Sequence, residues 1–354
     1  MITNSYNVIG VMSGTSLDGV DLAYITFKKE HQWEFQIHVA ETIPYLDEWS
    51  RIMKQLLHFN FDELKQIDSD YTLYLSNIIN QFITKHHIQS LDAICSHGHT
   101  ALHQPEKGLT YQIGNLPMLA KLIQQTVVCD FRVDDVALGG QGAPLVPIGD
   151  ELLFSKYDFC LNLGGFANIS TDINGERIAY DICPVNIVLN HYIQSLGLNY
   201  DDKGQMAASG TIHQDLLKQL NGLEFYKKTY PKSLGIEWVV NQIFPLIDGF
   251  QLSIADILRT FTEHIAIQIS SEINTKQNAT VLITGGGVYH QFLIKRLQLH
   301  TKNILVIPDK ETVEFKEALI FGLLGVLKLR GEVNCLKSVT GATMNHSSGK
   351  VYNP

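Results

Sequence analysis

Ile9-Gly10-Val11-Met12-Ser13-Gly14-Thr15-Ser16-Leu17-Asp18-Gly19-Val20-Asp21 is the stretch whose reading decides the fold. Residues 6–12 form a short apolar run that stops at 13–19, a turn of small and hydroxyl residues with one carboxylate. Residues 20–27 resume a strand pattern, Lys28-Lys29-Glu30 makes a polar turn, and 33–43 alternate with a period of two. Strand, Gly-rich turn, strand, strand is the predicted opening. Backbone N–H groups in such a turn can cradle phosphate oxygens, and Asp18 can hold Mg2+ through water. A plain hairpin turn uses the same residue types. Neither Gly-x-x-x-x-Gly-Lys-Ser/Thr nor Gly-x-Gly-x-x-Gly occurs, so a nucleotide here would be held by neither a P-loop nor a dinucleotide fold.

Further along, Leu56, Leu57, Phe61, Leu64, Ile67, Tyr71, Tyr74, Leu75, Ile78, Ile79 and Phe82 recur at helical spacing, predicting helix to about His87. Residues 91–96 and 126–130 read as strands. Gly139-Gly140-Gln141-Gly142-Ala143-Pro144 interrupts all periodicity and is the predicted crossover, giving domains 1–140 and 141–354, with a tail that can return to the first. The opening pattern then recurs. Residues 159–163 are a strand, Gly164-Gly165-Phe166-Ala167-Asn168 a tight loop, 169–171 and 178–182 strands around the turn signal Asn174-Gly175. Two halves that each begin with a hairpin around a Gly-rich turn indicate a duplicated α/β architecture. Ile254 to Ile273 marks a helix, and 281–284 a strand entering Gly285-Gly286-Gly287.

Composition narrows the class. Over 354 residues, 45% are hydrophobic and 18% charged, ordinary for a folded protein. The net charge of −9 argues against nucleic acid or anionic membrane as partners. Five scattered cysteines without a Cys-x-x-Cys pair predict neither a disulfide framework nor a zinc ribbon and fit a reducing cytoplasm. The longest apolar stretch, 318–327, is short of a membrane span.

Three Gly-rich turns at strand ends, at 14–19, 164–165 and 285–287, fit one ligand in a cleft, although each can also be only a turn. Asp181 ends a strand before Cys183-Pro184 and is placed to take a proton from a hydroxyl or water; turn-forming Asp is the bland alternative. Arg132 can pair a substrate carboxylate, or Asp130 or Asp134. His97, His99 and His103 have a zinc-like spacing without an acidic partner, and Cys183 becomes a nucleophile only if a neighbour lowers its pKa.

Together these segments resemble the anhydro-N-acetylmuramic acid kinases of cell-wall recycling, in the actin-like and sugar-kinase superfamily. The carriers are the opening stretch 9–21, Ser96-His97-Gly98, Gln112-Ile113-Gly114-Asn115, Asp130-Phe131-Arg132, residues 139–147, Asn162 to Ile169, Gly285-Gly286-Gly287, Glu317-Ala318 and Ser338-Val339-Thr340-Gly341-Ala342. The resemblance implies two actin-like (ribonuclease H-like) lobes around ATP and Mg2+. Gly14, Thr15, Ser16, Leu17, Asp18, Gly19, Val20 and Asp21 would be the ATP-phosphate loop, with Asp18 on the metal. Gly164, Gly165 and Asn168 would form the second phosphate turn, and Gly285, Gly286 and Gly287 the adenosine turn. It further implies Asp181 as the catalytic base, with Arg132, Asn186 and Glu317 at a small amino-sugar substrate, and a cytoplasmic homodimer. In that family the base activates a water that opens the anhydro bridge at C1 while O6 attacks the γ-phosphate, giving N-acetylmuramate 6-phosphate. One departure stands out. Where the family has Thr-Gly-Pro-Gly-Asn after the Asp, this chain has Ile182-Cys183-Pro184-Val185-Asn186, and side chains replace two glycines. A kinase of another sugar, and a nucleotide-binding switch that transfers nothing, are the alternatives this leaves. A second departure places His99 where the family usually has Gln.

Overall fold

The computed structural model describes residues 3–14 and 17–354, so Thr15 and Ser16 of the expected phosphate loop lie outside the described residues. The chain forms two compact units, Met1–Phe154 with Phe315–Pro354, and Ser155–Glu314. The division falls beyond the glycine-rich loop expected as the crossover at 140, for a local reason. Gln141 N–H donates to the Thr340 carbonyl at 2.8 Å, and Gly142 N–H to the Asp135 carboxylate at 2.7 Å. The helix Val146–Leu153 then packs on the returning segment, with a Lys316–Asp150 ion pair at 2.7 Å. Loop and helix are thereby bound to the first unit.

In the first unit, β1 (Ser5–Met12), β2 (Gly19–Lys29) and β3 (Trp33–Pro44) form an antiparallel meander. β4 (Ala93–Ser96) lies parallel to β1. A separate hairpin, β5 (His99–Gln104) and β6 (Leu109–Ile113), follows, and β7 (Val127–Cys129) runs parallel to β4. The C-terminal strand Lys350–Tyr352 closes the edge antiparallel to β7. The helix Phe61–Lys85 starts at a capping box. The Asn60 side chain accepts from the N–H groups of Asp62 and Glu63, and the Glu63 carboxylate accepts from Asn60 N–H. The helix Lys310–Arg330 is interrupted at Phe315 (φ −113°, ψ 19°), and its later turns press on the sheet. A Cβ on Gly10 would stand 1.9 Å from the Ala318 carbonyl oxygen, and one on Gly325 2.1 Å from Cys95 Sγ. Glycine in both elements is what permits that approach.

The second unit has β8 (Phe159–Leu163), β9 (Phe166–Ile173), β10 (Glu176–Pro184), β11 (Thr280–Thr284) and β12 (Ile304–Val306), in the order β10-β9-β8-β11-β12. Asn174 (φ 54°) and Gly175 (φ 83°) give the β9–β10 hairpin the two positive φ angles of a type I′ turn. The helix Ile254–Ile273 supplies Leu258, Ile265, Ile269 and Ile273 to the core, all at 0% exposure. Each such burial stabilises by about 1.5–3 kcal/mol. Both sheets follow one plan: third, second, first, fourth, fifth strand, the first three antiparallel and the next two parallel. That is the duplicated actin-like (ribonuclease H-like) α/β fold. Among the described residues no helix is long and apolar enough to cross a membrane.

Candidate active site

In the second unit the polar residues fall in one row. Across β8, β9 and β10, Asn162 pairs with Asn168, and Asn168 with Asp181. Directly opposed residues share a face, so period-two alternation turns this row away from the core, which takes Leu161, Leu163, Ala167, Ile169 and Ile182. A β-bulge after Asp181 shifts the register, so that Cys183 pairs with Ala167. Two contacts from one loop hold Asp181: its N–H donates to the Lys232 carbonyl at 3.1 Å, and its Oδ2 accepts from Leu234 N–H at 2.8 Å. Lys232 is itself anchored to Glu272 at 2.9 Å, with its ammonium over the Tyr180 and Phe225 rings. Burial pushes the Asp181 carboxyl above the usual aspartate range, and the Leu234 hydrogen bond offsets part of that. A raised pKa makes the ionised group a stronger base.

The glycines beside this row differ in what they are for. A Cβ on Gly285 (φ 85°) would lie 2.6 Å from Asn162 Oδ1, and one on Gly287 2.7 Å from Leu163 Cβ, so these two let the turn pack against β8. Gly286 has nothing within 4 Å, Gly165 nothing nearer than 3.9 Å, Gly164 nothing nearer than 3.3 Å, and none of the three needs a positive φ. They sit at the carboxyl ends of the adjacent parallel strands β8 and β11, where open α/β sheets bind ligands. The Gly164 and Gly165 carbonyls accept from the N–H groups of Val185, Asn186 and Ile187, which orients the turn on the start of the helix Asn186–Gln194.

In the first unit the carboxyl ends of β1, β4 and β7 lead into Ser13-Gly14, His97-Gly98 and Asp130-Arg132. Ser13 Oγ is hydrogen-bonded to Tyr45 Oη and, at 2.7 Å, to His99 Nδ1, while Tyr45 Oη meets Tyr71 Oη at 2.9 Å. Burial pushes His99 down to about 4, so it is a neutral hydrogen-bonding group there. Arg132 donates from Nε to His97 Nε2 at 2.8 Å and from a terminal nitrogen to the Gly142 carbonyl at 2.6 Å, and the charge of Glu317 acts on it. His97 Nδ1 in turn bonds the Gly98 carbonyl at 2.9 Å, and His103 Nδ1 meets Thr110 at 3.1 Å. The three histidines therefore have separate partners, and among the described residues they belong to no group of three potential metal ligands.

Of the expected phosphate-loop residues, Leu17 takes φ 57° and Asp18 is exposed. Gly19, Val20 and Asp21 are engaged in the sheet. A Cβ on Gly19 would meet the Ile43 carbonyl at 2.4 Å, Val20 is fully buried, and Asp21 Oδ1 accepts from Thr42 at 2.5 Å.

The family model for anhydro-N-acetylmuramic acid kinase matches residues 6–354. The chain belongs to that family. A relative named anhydro-N-acetylmuramic acid kinase from Pseudomonas fluorescens is 34% identical over 364 residues, covering 97% of this chain and 98% of its own. One of the same name from Sulfurimonas denitrificans is 31% identical over 366 residues, with the same two coverages of 97% and 98%. Against the family's usual sequence after the aspartate, the departures point inward: Ile182, Cys183 and Val185 are 1%, 0% and 0% exposed in the core of the second unit. Val185 precedes the helix Asn186–Gln194 with φ −129° and ψ −98°. Burial pushes the Cys183 thiol up, which removes it as a nucleophile. Sequence reasoning did not single out Asn162 or the Leu234 N–H. Asn162 carried a signal, a lone amide in the apolar strand Phe-Cys-Leu-Asn-Leu; a backbone donor from a loop carries none.

Proposed function

We propose that this chain converts 1,6-anhydro-N-acetylmuramic acid, ATP and water to N-acetylmuramate 6-phosphate and ADP. The single observation that carries the chemistry is Asp181, held through its own N–H and one oxygen at a bulge, on the polar face beside the open glycines Gly165 and Gly286. Asp181 would take a proton from water as the water oxygen bonds C1. The C1–O6 bond then breaks, O6 bonds the γ-phosphorus, and the bridge to the β-phosphate breaks to leave ADP. Its raised pKa suits it to hold that proton before releasing it to solvent.

Gly14, Leu17, Asp18, Gly164, Gly165, Asn168 and Gly285 to Gly287 are proposed for ATP. The support is the space that a Cβ at Gly165 or Gly286 would fill. Asp18, exposed at the end of its turn, is the residue proposed to hold Mg2+. When bound, Mg2+ neutralises phosphate charge, and phosphoryl transfer depends mostly on positioning and such neutralisation. Arg132, Asn186 and Glu317 are proposed for the sugar. For Arg132 the support is a guanidinium fixed by His97 and Gly142 with the Glu317 charge acting on it. A cytoplasmic homodimer completes the reading, and light scattering tests the dimer.

The test is coupled ADP release with anhydro-N-acetylmuramic acid, ATP and Mg2+, with the product mass measured. The expected product has gained one phosphoryl group (HPO3) and one water. Sugar-independent ADP release, or none while ATP binds, would overturn the assignment.

A further inference from the structure

We propose that Asp135, Cys335 and His346 form a binding site for a borderline transition-metal cation of the Zn2+ type, separate from the phosphate loop. One oxygen of Asp135, the Cys335 sulfur and one ring nitrogen of His346 all lie within 4.8 Å of one another, the one such group of three among the described residues. All three belong to the first unit. Cys335 and His346 face each other across an antiparallel bridge, closed by Cys335 N–H to the His346 carbonyl at 3.1 Å and the reverse bond at 3.2 Å. Opposed residues of such a pair project to one side. Asp135 is 0% exposed.

The orientation of His346 decides what the cluster can take. Its Nδ1 is hydrogen-bonded to the Met344 carbonyl at 3.1 Å, so that nitrogen carries the proton and Nε2 presents a lone pair. A ligating histidine is oriented in this way, with its other nitrogen on a carbonyl or carboxylate. Nε2 is buried without a hydrogen-bond partner and faces Asp135 Oδ1 at 3.5 Å, with the His346 side chain 9% exposed. A lone pair opposite a carboxylate oxygen is repulsive until a positive charge enters. That oxygen also accepts from Thr340 Oγ1 at 2.7 Å, and Oδ2 accepts from Gly142 N–H at 2.7 Å. Each carboxylate oxygen has two lone pairs, so Oδ1 keeps one for a cation. Thiolate, imidazole and carboxylate together suit Zn2+ far better than Mg2+ or Ca2+, which take oxygen ligands. Binding displaces the Cys335 proton to solvent. The ion would pin the segment carrying Cys335 and His346 to the residue that also holds the 139–142 loop.

The test uses the full chain, stripped with a chelator, without nucleotide, and titrated with Zn2+ and separately with Co2+. About one metal per chain is expected. The Co2+ form should show a thiolate charge-transfer band and the visible bands of tetrahedral cobalt, and Zn2+ above its Kd should raise the unfolding temperature with the logarithm of its concentration. Cys335→Ser should abolish the charge-transfer band, and His346→Gln should weaken Zn2+ binding by roughly 100-fold or more, beyond the effect of losing an outer-shell partner. Asp18→Asn should change neither. Absence of stoichiometric metal, or a Co2+ spectrum without the thiolate band, would overturn the proposal in the unaltered protein. Binding unchanged in both variants would overturn it equally.

Discussion

Replacing Gly286 by alanine separates a glycine kept for a ligand from one kept for packing. In the folded protein the added Cβ has no atom within 4 Å and the residue needs no positive φ, so the native state has no strain to absorb. The unfolded chain loses conformational freedom, and the net expectation is a stabilisation of about 0.4–1 kcal/mol. Bound ATP changes the balance. A methyl group forced into a close contact costs about 1–3 kcal/mol, which corresponds to roughly a 5- to 150-fold loss of affinity. Gly10→Ala is the control: its Cβ would stand 1.9 Å from a backbone oxygen, so the sheet or helix must move. That variant should lose stability by at least ~1–3 kcal/mol. Urea denaturation followed by circular dichroism reads the stability, and titration calorimetry with ATP reads the affinity. Gly286→Ala protein that unfolds at lower urea while binding ATP as the parent does would refute the ligand role.

Asp181→Asn should keep ATP binding and lose kcat by about 10²- to 10⁴-fold in steady-state assays, the usual worth of a general base. Burial raises the Asp181 pKa, so the ionised form costs folding free energy above the unfolded value near 3.9. The Asn variant should therefore gain relative stability as pH rises from that value through the higher folded pKa, then level off; a gain confined to low pH would contradict the assignment. Glu263→Gln removes the partner of Arg296, bonded at 2.6 and 2.7 Å, and of His300 at 2.7 Å. Because Arg296 and His300 keep contact with water, the loss should be about 1–3 kcal/mol rather than the 3–5 of a fully buried pair. Burial alone would raise the Glu263 pKa, but the bonds from Arg296 and His300 outweigh it and hold it low. Its contribution should thus be present above the unfolded glutamate pKa and vanish as pH falls through the folded one, which denaturation at several pH values measures. Val185→Gly, restoring the family's residue, should cost roughly 2–4 kcal/mol by cavity and glycine entropy, with the KM for the sugar unchanged. A large KM change without loss of stability would place Val185 at the substrate.

The hairpins were legible because alternation and turn residues are local signals. Residues 159–163 are a strand as read, the first three strands differ from their sequence readings only at the ends, and Asn174-Gly175 makes its turn. The run 254–273 is one helix, as its repeat of isoleucines required. Less was visible where long-range contacts decide. The helical region before His87 breaks into Asp47–Lys54, the turn Leu56–His58 and Phe61–Lys85, because Asn60 caps a new start. In the hairpin His99–Gln104 with Leu109–Ile113 the first strand lacks clear alternation, while the second, Leu-Thr-Tyr-Gln-Ile, alternates over only five residues. The crossover loop looked like a boundary by composition, yet Asp135, held by Thr340 from 205 residues away, binds it to the first unit. Asp181 reads from the sequence as a carboxylate ending a strand, whereas the strand runs on to Pro184 with Asp181 at its bulge. The loop that fixes it, through Lys232 and Leu234, is remote in sequence and acts by backbone groups.

The same period of two places the positions where the family has glycine after Asp181 on the packing side of the sheet. Tyr180 and Ile182 face the core, and Asp181 between them faces the other way. The bulge then turns Cys183 inward as well, so the substituted positions add apolar volume on the side where the helix Ile254–Ile273 packs. The row Asn162, Asn168 and Asp181 occupies the opposite face, and the open glycines flank that row at the strand ends. Changes at 182, 183 and 185 therefore act on the packing of the second unit. A contact made by the second unit to a ligand would come from its polar face rather than from 182, 183 or 185. A family motif read as one string mixes these two faces, and only the strand geometry assigns each position to packing or to chemistry.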